Sequence, residues 1–238
     1  TVLVATHGPP LGVVIGDGTG VGAIANAGAA PWFSINDVSV TEGGALSFTI
    51  SKSGASSLSH AVTYQTANGS ATAGSDYGAL GPTAVTFAAN ETSKPVVVAT
   101  TQEAVYEANE TLVVNLSGAT AGATIGDSQG SGVINNDDAA PSFSINSVSA
   151  TEGQPINFTV TKTGATSFSH AVNFATSNGT AVTPADYAAS SGNVVFQSNE
   201  ATKVLAVTTN GENFFEPDET FVMTISGPTN GATIAVAS

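Results

Sequence analysis

The chain has no cysteine and no arginine, and its 18 acids face only four lysines. Without cysteine there are no disulfides, no thiolate metal sites and no cysteine nucleophile. A formal charge of −14 with no basic stripe repels phosphate backbones and anionic headgroups, which argues against nucleic acid and membrane surfaces as partners. No run of about 18 apolar residues occurs, so no membrane insertion is expected within this chain. Residues 1–30 also lack the basic start of a signal peptide, so an export signal is expected outside these 238 residues. Aromatics are scarce at 7% and charged residues of all kinds reach only 9%, which leaves Ser, Thr, Asn, Gly and Ala to cover the surface. The partner such a charge invites is a cation.

What the chain does contain is a repeat. "FSINDVSVTEGGALSFTISKSG" begins at Phe33 and "FSINSVSATEGQPINFTVTKTG" at Phe143, an offset of 110 residues that runs without a gap through "GSDY" and "PADY". Later the offset becomes 109, because Glu107, Glu110 and Thr111 recur as Glu216, Glu219 and Thr220. Self-similarity of this length marks tandem domains. The start "TVLVATHGPPLGVVIGDGTG" aligns in turn on "TLVVNLSGATAGATIGDSQG" from Thr111. The expected division is therefore residues 1–28 as the last strands of a preceding repeat, 29–138 as one repeat, and 139–238 as a second lacking its final strand.

Within each repeat the apolar period is two. Leu46, Phe48 and Ile50 alternate with Ser47 and Thr49, and Ile156, Phe158 and Val160 follow the same pattern. "HAVTYQT", "TAVTFAA" and "TLVVNLSG" alternate likewise, while no segment sustains a helical period. Asn68-Gly69 and Asn178-Gly179 suit tight reversals at positive φ. About seven short strands in about 110 residues predict an all-β fold of tandem immunoglobulin-like seven-stranded β-sandwiches, elongated along the array.

The acids recur at matched places: Glu42, Asp76, Glu103, Glu107, Glu110, Asp137 and Asp138, then Glu152, Asp186, Glu212, Glu216 and Glu219. A single loop acid is ordinarily solvated. These sit beside turns at strand ends, which a sandwich gathers at two poles, and too few lysines are available to pair them. Like charges held together cost free energy unless a cation intervenes. Calcium takes six to eight oxygens in irregular geometry, whereas zinc would want His or Cys and magnesium a stricter octahedron. Other features read as structural. His60 and His170 begin equivalent strands with no nucleophile motif nearby, and His7 stands alone. "GDGTGVG" at residues 16–22 lacks the lysine and helix of a phosphate loop, and Trp32 is expected to pack.

The order "TEG", "NGSATAGSDY", "TFAANETSK", "EAVYEANETLVVNLS", "GSGVINNDD" resembles the Calx-β repeat of sodium/calcium exchangers and bacterial surface proteins, over nearly the whole chain. The resemblance implies a sandwich that binds calcium at one pole, next to the following domain. It carries ligand positions onto Glu42, Asp76, Gln102, Glu103, Glu107 and Glu110, with a terminal triplet at Asn136, Asp137 and Asp138. In the second repeat it carries them onto Glu152, Asp186, Gly211, Glu212, Glu216 and Glu219, without the triplet. Gln102, Gly211 and Asn136 stand where strong sites of the family have acids, which implies weaker binding or fewer ions. Asp137 and Asp138 lie at the seam between repeats, where calcium would stiffen the joint beside Pro141.

These readings converge on a calcium-stiffened structural or adhesive array, extracellular or on a bacterial cell surface, with no catalytic role. Its expected partners are calcium ions, neighbouring repeats and copies of itself, the strands in residues 1–26 completing another chain's open sheet to build head-to-tail fibres. The rivals are a ligand-binding adhesin module for a glycan or protein and a regulatory calcium sensor.

Overall fold

The computed structural model describes residues 2–5 and 19–235, and among them every regular element is a strand. His7 and the first part of the glycine-rich run, residues 16–18, lie outside the described residues. In chain order the strands are β1 Val2–Ala5, β2 Thr19–Gly22, β3 Trp32–Ile35, β4 Val38–Thr41, β5 Ala45–Ser53, β6 His60–Asn68 and β7 Thr83–Phe87. They continue as β8 Ser93–Ala99, β9 Glu110–Ser117, β10 Thr124–Ile125, β11 Gln129–Asn135, β12 Ser142–Ile145 and β13 Ile156–Thr163. The last five are β14 His170–Asn178, β15 Ser191–Phe196, β16 Thr202–Val207, β17 Phe221–Ser226 and β18 Thr233–Ile234.

In the first repeat the sheet β10-β3-β5-β8 lies against β4-β11-β9-β6-β7. The alternation in β5 decides which side chains meet between them: Leu46, Phe48 and Ile50 are buried, and they pack with Phe33, Val62, Phe87, Val96, Leu112 and Val114. Chain 32–41 changes sheets, with β3 antiparallel to β5 and β4 parallel to β11. Such a crossing ties the two sheets together at a corner of the sandwich.

The second repeat forms the sheets β16-β13-β12-β18 and β15-β14-β17. Its interior is two clusters rather than one, around Phe143, Val160, Val172 and Phe196 and around Phe158, Tyr187, Val207 and Met223. The residues matching β4 form no strand, and β17 is left as a sheet edge with Val222 exposed. The hairpin β1–β2 pairs Val2 with Gly22, the positions at which β9 and β11 pair Leu112 with Gly132.

One local expectation is corrected. Asn68-Gly69 and Asn178-Gly179 are not positive-φ reversals. Gly69 is needed because a Cβ would lie 2.5 Å from the Thr111 carbonyl oxygen, and Gly179 meets Thr220 in the same way. The asparagines hold the following loop instead: Oδ1 of Asn68 accepts from the buried Tyr77 hydroxyl at 2.7 Å and from Ala73 N–H, as Oδ1 of Asn178 does from Tyr187 and Thr183. His60 and His170 open β6 and β14 as expected, and both are buried. Each ring is held between a backbone carbonyl, of Thr120 or Thr229, and a hydroxyl, of Ser56 or Thr166. The Trp32 ring packs across Gly126 of its own repeat and stays 43% exposed.

Candidate metal centre

Strand register explains why distant acids meet in the first repeat. β4 and β11 run parallel with Thr41 opposite Asn135, so both deliver their C-terminal ends to one pole. Glu42 follows β4, its N–H donating to the Asn135 carbonyl at 3.1 Å, and Gly43 turns the chain away at φ 71°. Asn136, Asp137 and Asp138 follow β11. The loop between β8 and β9 brings Glu103 and Glu107, and Glu110 opens β9. Asp76 arrives on the β6–β7 connection, where its Oδ2 accepts from Thr72 N–H at 2.6 Å and its carbonyl accepts from Thr101 N–H at 2.9 Å.

At the centre, Glu42, Glu103 and Asp138 each present a carboxylate oxygen within 4.8 Å of the others. Oε2 of Glu42, Oε1 of Glu103 and Oδ2 of Asp138 are buried and have no hydrogen-bond partner. Buried polar atoms are nearly always paired, and buried carboxylates more strictly still, so three orphans facing one another form a donor set without its acceptor of charge. Burial, followed by Glu103, Asp138 and other nearby acids, pushes the Glu42 carboxyl up to about 7. Burial and then Asp76 do the same to Glu110, also to about 7, and Glu107 is raised by burial and Glu103.

No lysine relieves this charge. Lys94 pairs with Glu91 and Lys203 with Glu200, while Lys52 donates to the Ala88 carbonyl and Lys162 to those of Gln197 and Ser198. An all-oxygen set suits a hard cation of the calcium type and lacks the His and Cys ligands that zinc sites favour.

Other predicted residues hold the framework. Asn136 accepts from Glu107 N–H through Oδ1 and donates through Nδ2 to the Asp138 carbonyl, clamping the acidic loop to the strand end. The exposed Asp137 accepts from Gln102 Nε2 at 3.1 Å. Tyr106, which sequence reasoning did not single out, lies between Glu103 and Glu107 and reaches the second repeat: its N–H donates to the Ala165 carbonyl and its carbonyl accepts from Ser167 N–H. The available signal was an aromatic inside an acidic loop, recurring as Phe215.

The second repeat also gathers its acids, but in solvent. Glu152, Glu212, Glu216 and Glu219 are exposed and Asp186 is half-buried. Glu152 Oε2 accepts from Glu212 N–H at 3.3 Å, and Asp186 Oδ2 accepts from Val182 N–H at 2.6 Å. The Glu212 carboxyl is raised by its hydrogen bond to Glu216, and that of Glu219 by burial and then by Asp186. Among the described residues, no orphaned trio forms here.

A family model described as the Calx-beta domain matches residues 31–139 and again 135–237. Among solved structures, the calcium binding domain CBD12 of CALX1.1 is 22% identical over 84% of this chain and 80% of its own, with a TM-score of 0.44. CBD12 of CALX1.2 is 21% identical over 84% of this chain and 81% of its own, with a TM-score of 0.42. The apo form of the Calx CBD1 domain is 18% identical over 46% of this chain and all of its own, with a TM-score of 0.43. No curated protein matches the chain.

Proposed function

The chain belongs to the Calx-beta domain family, and from that membership we propose that its first repeat binds calcium and uses the ion to stiffen the junction with the second. The observation that carries the reading is the trio of orphaned oxygens on Glu42, Glu103 and Asp138. Glu107, Glu110, Asp76 and Asp137 add charge or outer ligands. The second repeat, with Glu152, Asp186, Glu212, Glu216 and Glu219 in solvent, is the weaker site. Dissociation constants of roughly 10⁻⁴ to 10⁻³ M suit an extracellular module. At a hundredfold excess, bound calcium adds about 2.7 kcal/mol.

The same reading makes the protein a structural or adhesive array of a bacterial surface or secreted protein, with no catalytic step. It divides the chain into residues 1–28, 29–138 and 139–238, a division supported by the shared register of β1–β2 and β9–β11. Head-to-tail assembly by strand donation is part of it: residues 19–26 match 129–136, so β2 of one chain has the sequence to lie on the β17 edge of another.

A regulatory sensor is the second reading, favoured by Tyr106 joining the acidic loop to the next repeat. Thermal melting with calcium or a chelator tests the main one. Chelation is expected to lower the first repeat's melting temperature, and Asp137→Asn with Asp138→Asn to remove most of that response. Identical curves with and without calcium would sink the site.

A further inference from the structure

Each repeat turns one lateral strand edge to solvent, and the two edges differ at one decisive position. β8 ends the sheet β10-β3-β5-β8, and β16 ends the sheet β16-β13-β12-β18. The strands are counterparts: Glu91, Lys94 and Pro95 in the first repeat stand where Glu200, Lys203 and Val204 stand in the second. In both, the lysine is tied back to the glutamate at 2.6 Å.

Register decides which main-chain groups face out. Val204 lies opposite Thr159, whose N–H donates to Asn146 Oδ1 at 2.6 Å and whose carbonyl accepts from Asn146 N–H at 3.3 Å. Both polar groups of Thr159 are therefore turned away from β16, and in an antiparallel ladder those of Val204 then point away from β13. The pattern alternates, so Thr202 and Ala206 present theirs on the same side, where no strand pairs with them among the described residues. Val204 itself is 63% exposed. In the first repeat Pro95 lies opposite Thr49, which again donates to an asparagine, Asn36 Oδ1, at 2.6 Å. The outward N–H at the middle of β8 is thus absent, a device that keeps sheet edges from pairing. The second repeat has the same edge without the block.

Neither a preceding nor a following repeat covers this strand. β16 is open with the first repeat before it, and β8 keeps Ser93, Pro95 and Val97 exposed with the second repeat after it.

We propose that β16 pairs antiparallel with β16 of a second copy about a two-fold axis at Val204, merging the two β16-β13-β12-β18 sheets into one. The strand is its own complement. With Val204 facing Val204, Thr202 faces Ala206 of the second copy, and each facing pair exchanges both N–H···O bonds. The two exposed valines meet as a cross-strand pair. Centring on Lys203 would set lysine against lysine. Centring on Leu205 would turn Thr202 to Thr208, whose carbonyl already accepts from Ala188 N–H. Between Glu200 and Glu212 the chain has no acid, and Lys203 neutralises Glu200, so the edge carries none of the repulsion of a chain of charge −14. An edge without net charge favours a strand like itself over a charged partner. The contact is small and the two copies repel at long range, so it is weak and strengthens with salt. It joins chains side by side, beyond the head-to-tail assembly proposed above and independent of the calcium site.

Sedimentation velocity of the 238-residue chain over a concentration series, in chelator with added salt, tests the pairing together with amide hydrogen exchange. The average sedimentation coefficient is expected to rise with concentration to that of a dimer. Exchange at Thr202, Val204 and Ala206 is expected to slow in step, while Val97, at an outward position of β8, stays fast. Val204→Pro places the first repeat's residue in the same register and at an exposed position. It is expected to weaken association by more than about tenfold, because the two-fold removes a donor from both chains, with circular dichroism and melting unchanged. Val204→Lys and Val204→Glu each set like charges face to face at the axis, so each is expected to pair poorly alone and well when the two are mixed. A Val204→Pro chain that associates like its parent, or a mixture no better than its components, would overturn the proposal. A parent that stays monomeric would overturn it too and leave the edge to a strand of another protein. Association that survives Val204→Pro and is lost in Val222→Pro would reject the β16 pairing in favour of strand donation on β17.

Discussion

In the first repeat the acidic pole closes on Glu42, Glu103 and Asp138, three buried oxygens without partners, whereas in the second Glu152, Glu212, Glu216 and Glu219 stay in solvent. The two poles have nearly the same acids in the same order. What differs is that the first repeat carries Asn136, Asp137 and Asp138 at the end of β11, and β11 is also the partner of β4. In the first repeat β4 lies on β11, and that pairing draws Glu42 inward against Asn135 and lays Asp138 across it. In the second, the residues before Glu152 form no strand among the described residues, and no acid pair lies over them. A list of carboxylates therefore does not define a metal centre. The strand that carries the terminal acids also buries the others, and burial makes the uncompensated charge demand a cation.

The sharpest break of this contrast is Glu42→Gln against Glu152→Gln. Calcium titration by calorimetry is expected to resolve a tighter and a weaker class. Glu42→Gln should weaken the tighter class by more than about tenfold, or ~1.4 kcal/mol, while Glu152→Gln leaves it alone. Equal effects would mean that burial plays no part. The chelated Glu42→Gln protein should also melt higher than its parent, because the substitution removes a buried carboxyl that its neighbours oppose.

A second prediction concerns what the repeats share. Asn68 and Asn178 make the same bonds to buried tyrosines, so replacing either with alanine leaves a hydroxyl unpaired and costs about 1–3 kcal/mol. The two losses should match in urea unfolding. A larger loss in one repeat would show that the sites differ because the scaffolds do.

Much of the fold is legible in the amino-acid sequence. The alternation through Leu46, Phe48 and Ile50 marks the inward face of β5, and the 110-residue offset from Phe33 to Phe143 marks the tandem fold. The acids are legible as a set because a sandwich gathers its turns at two ends. Their ranking is legible only in part: the terminal triplet has no counterpart in the second repeat, but the burial of Glu42 does not show. Nothing in "TEG" distinguishes Glu42 from Glu152, since the difference lies in a parallel pairing between β4 and β11, about 90 residues apart. Asn68-Gly69 misleads for a related reason: the glycine answers the Thr111 carbonyl on a neighbouring strand, which local turn chemistry does not report. His60 and His170 show their residue type and not their burial. Tyr106 is hidden because its partner segment, Ala165–Ser167, belongs to the other repeat.

The smallest expected effect is pH dependence without calcium. Glu42 and Glu110 are held at about 7 in the folded first repeat, above the ordinary 4.5, so the folded chain takes up protons that the unfolded chain releases. Their contribution is fully present below about pH 4.5 and is lost as pH rises to about 7. In the second repeat Glu212 and Glu219 shift in the same direction but sit in solvent, which screens them. Chelated protein should therefore lose stability between pH 5 and pH 7.5 (roughly the two sides of this titration) chiefly in its first repeat. The chain's single tryptophan, Trp32, reports that repeat, and circular dichroism reports both. Trp32 fluorescence melting should fall across this range by more than the melting of the remaining ellipticity. Saturating calcium should abolish or reverse the fall, because the ion takes the place of the protons. A chelated first repeat that melts at one temperature at both pH values would mean that its acids are not held together, and the contrast between the two poles would lose its physical cause.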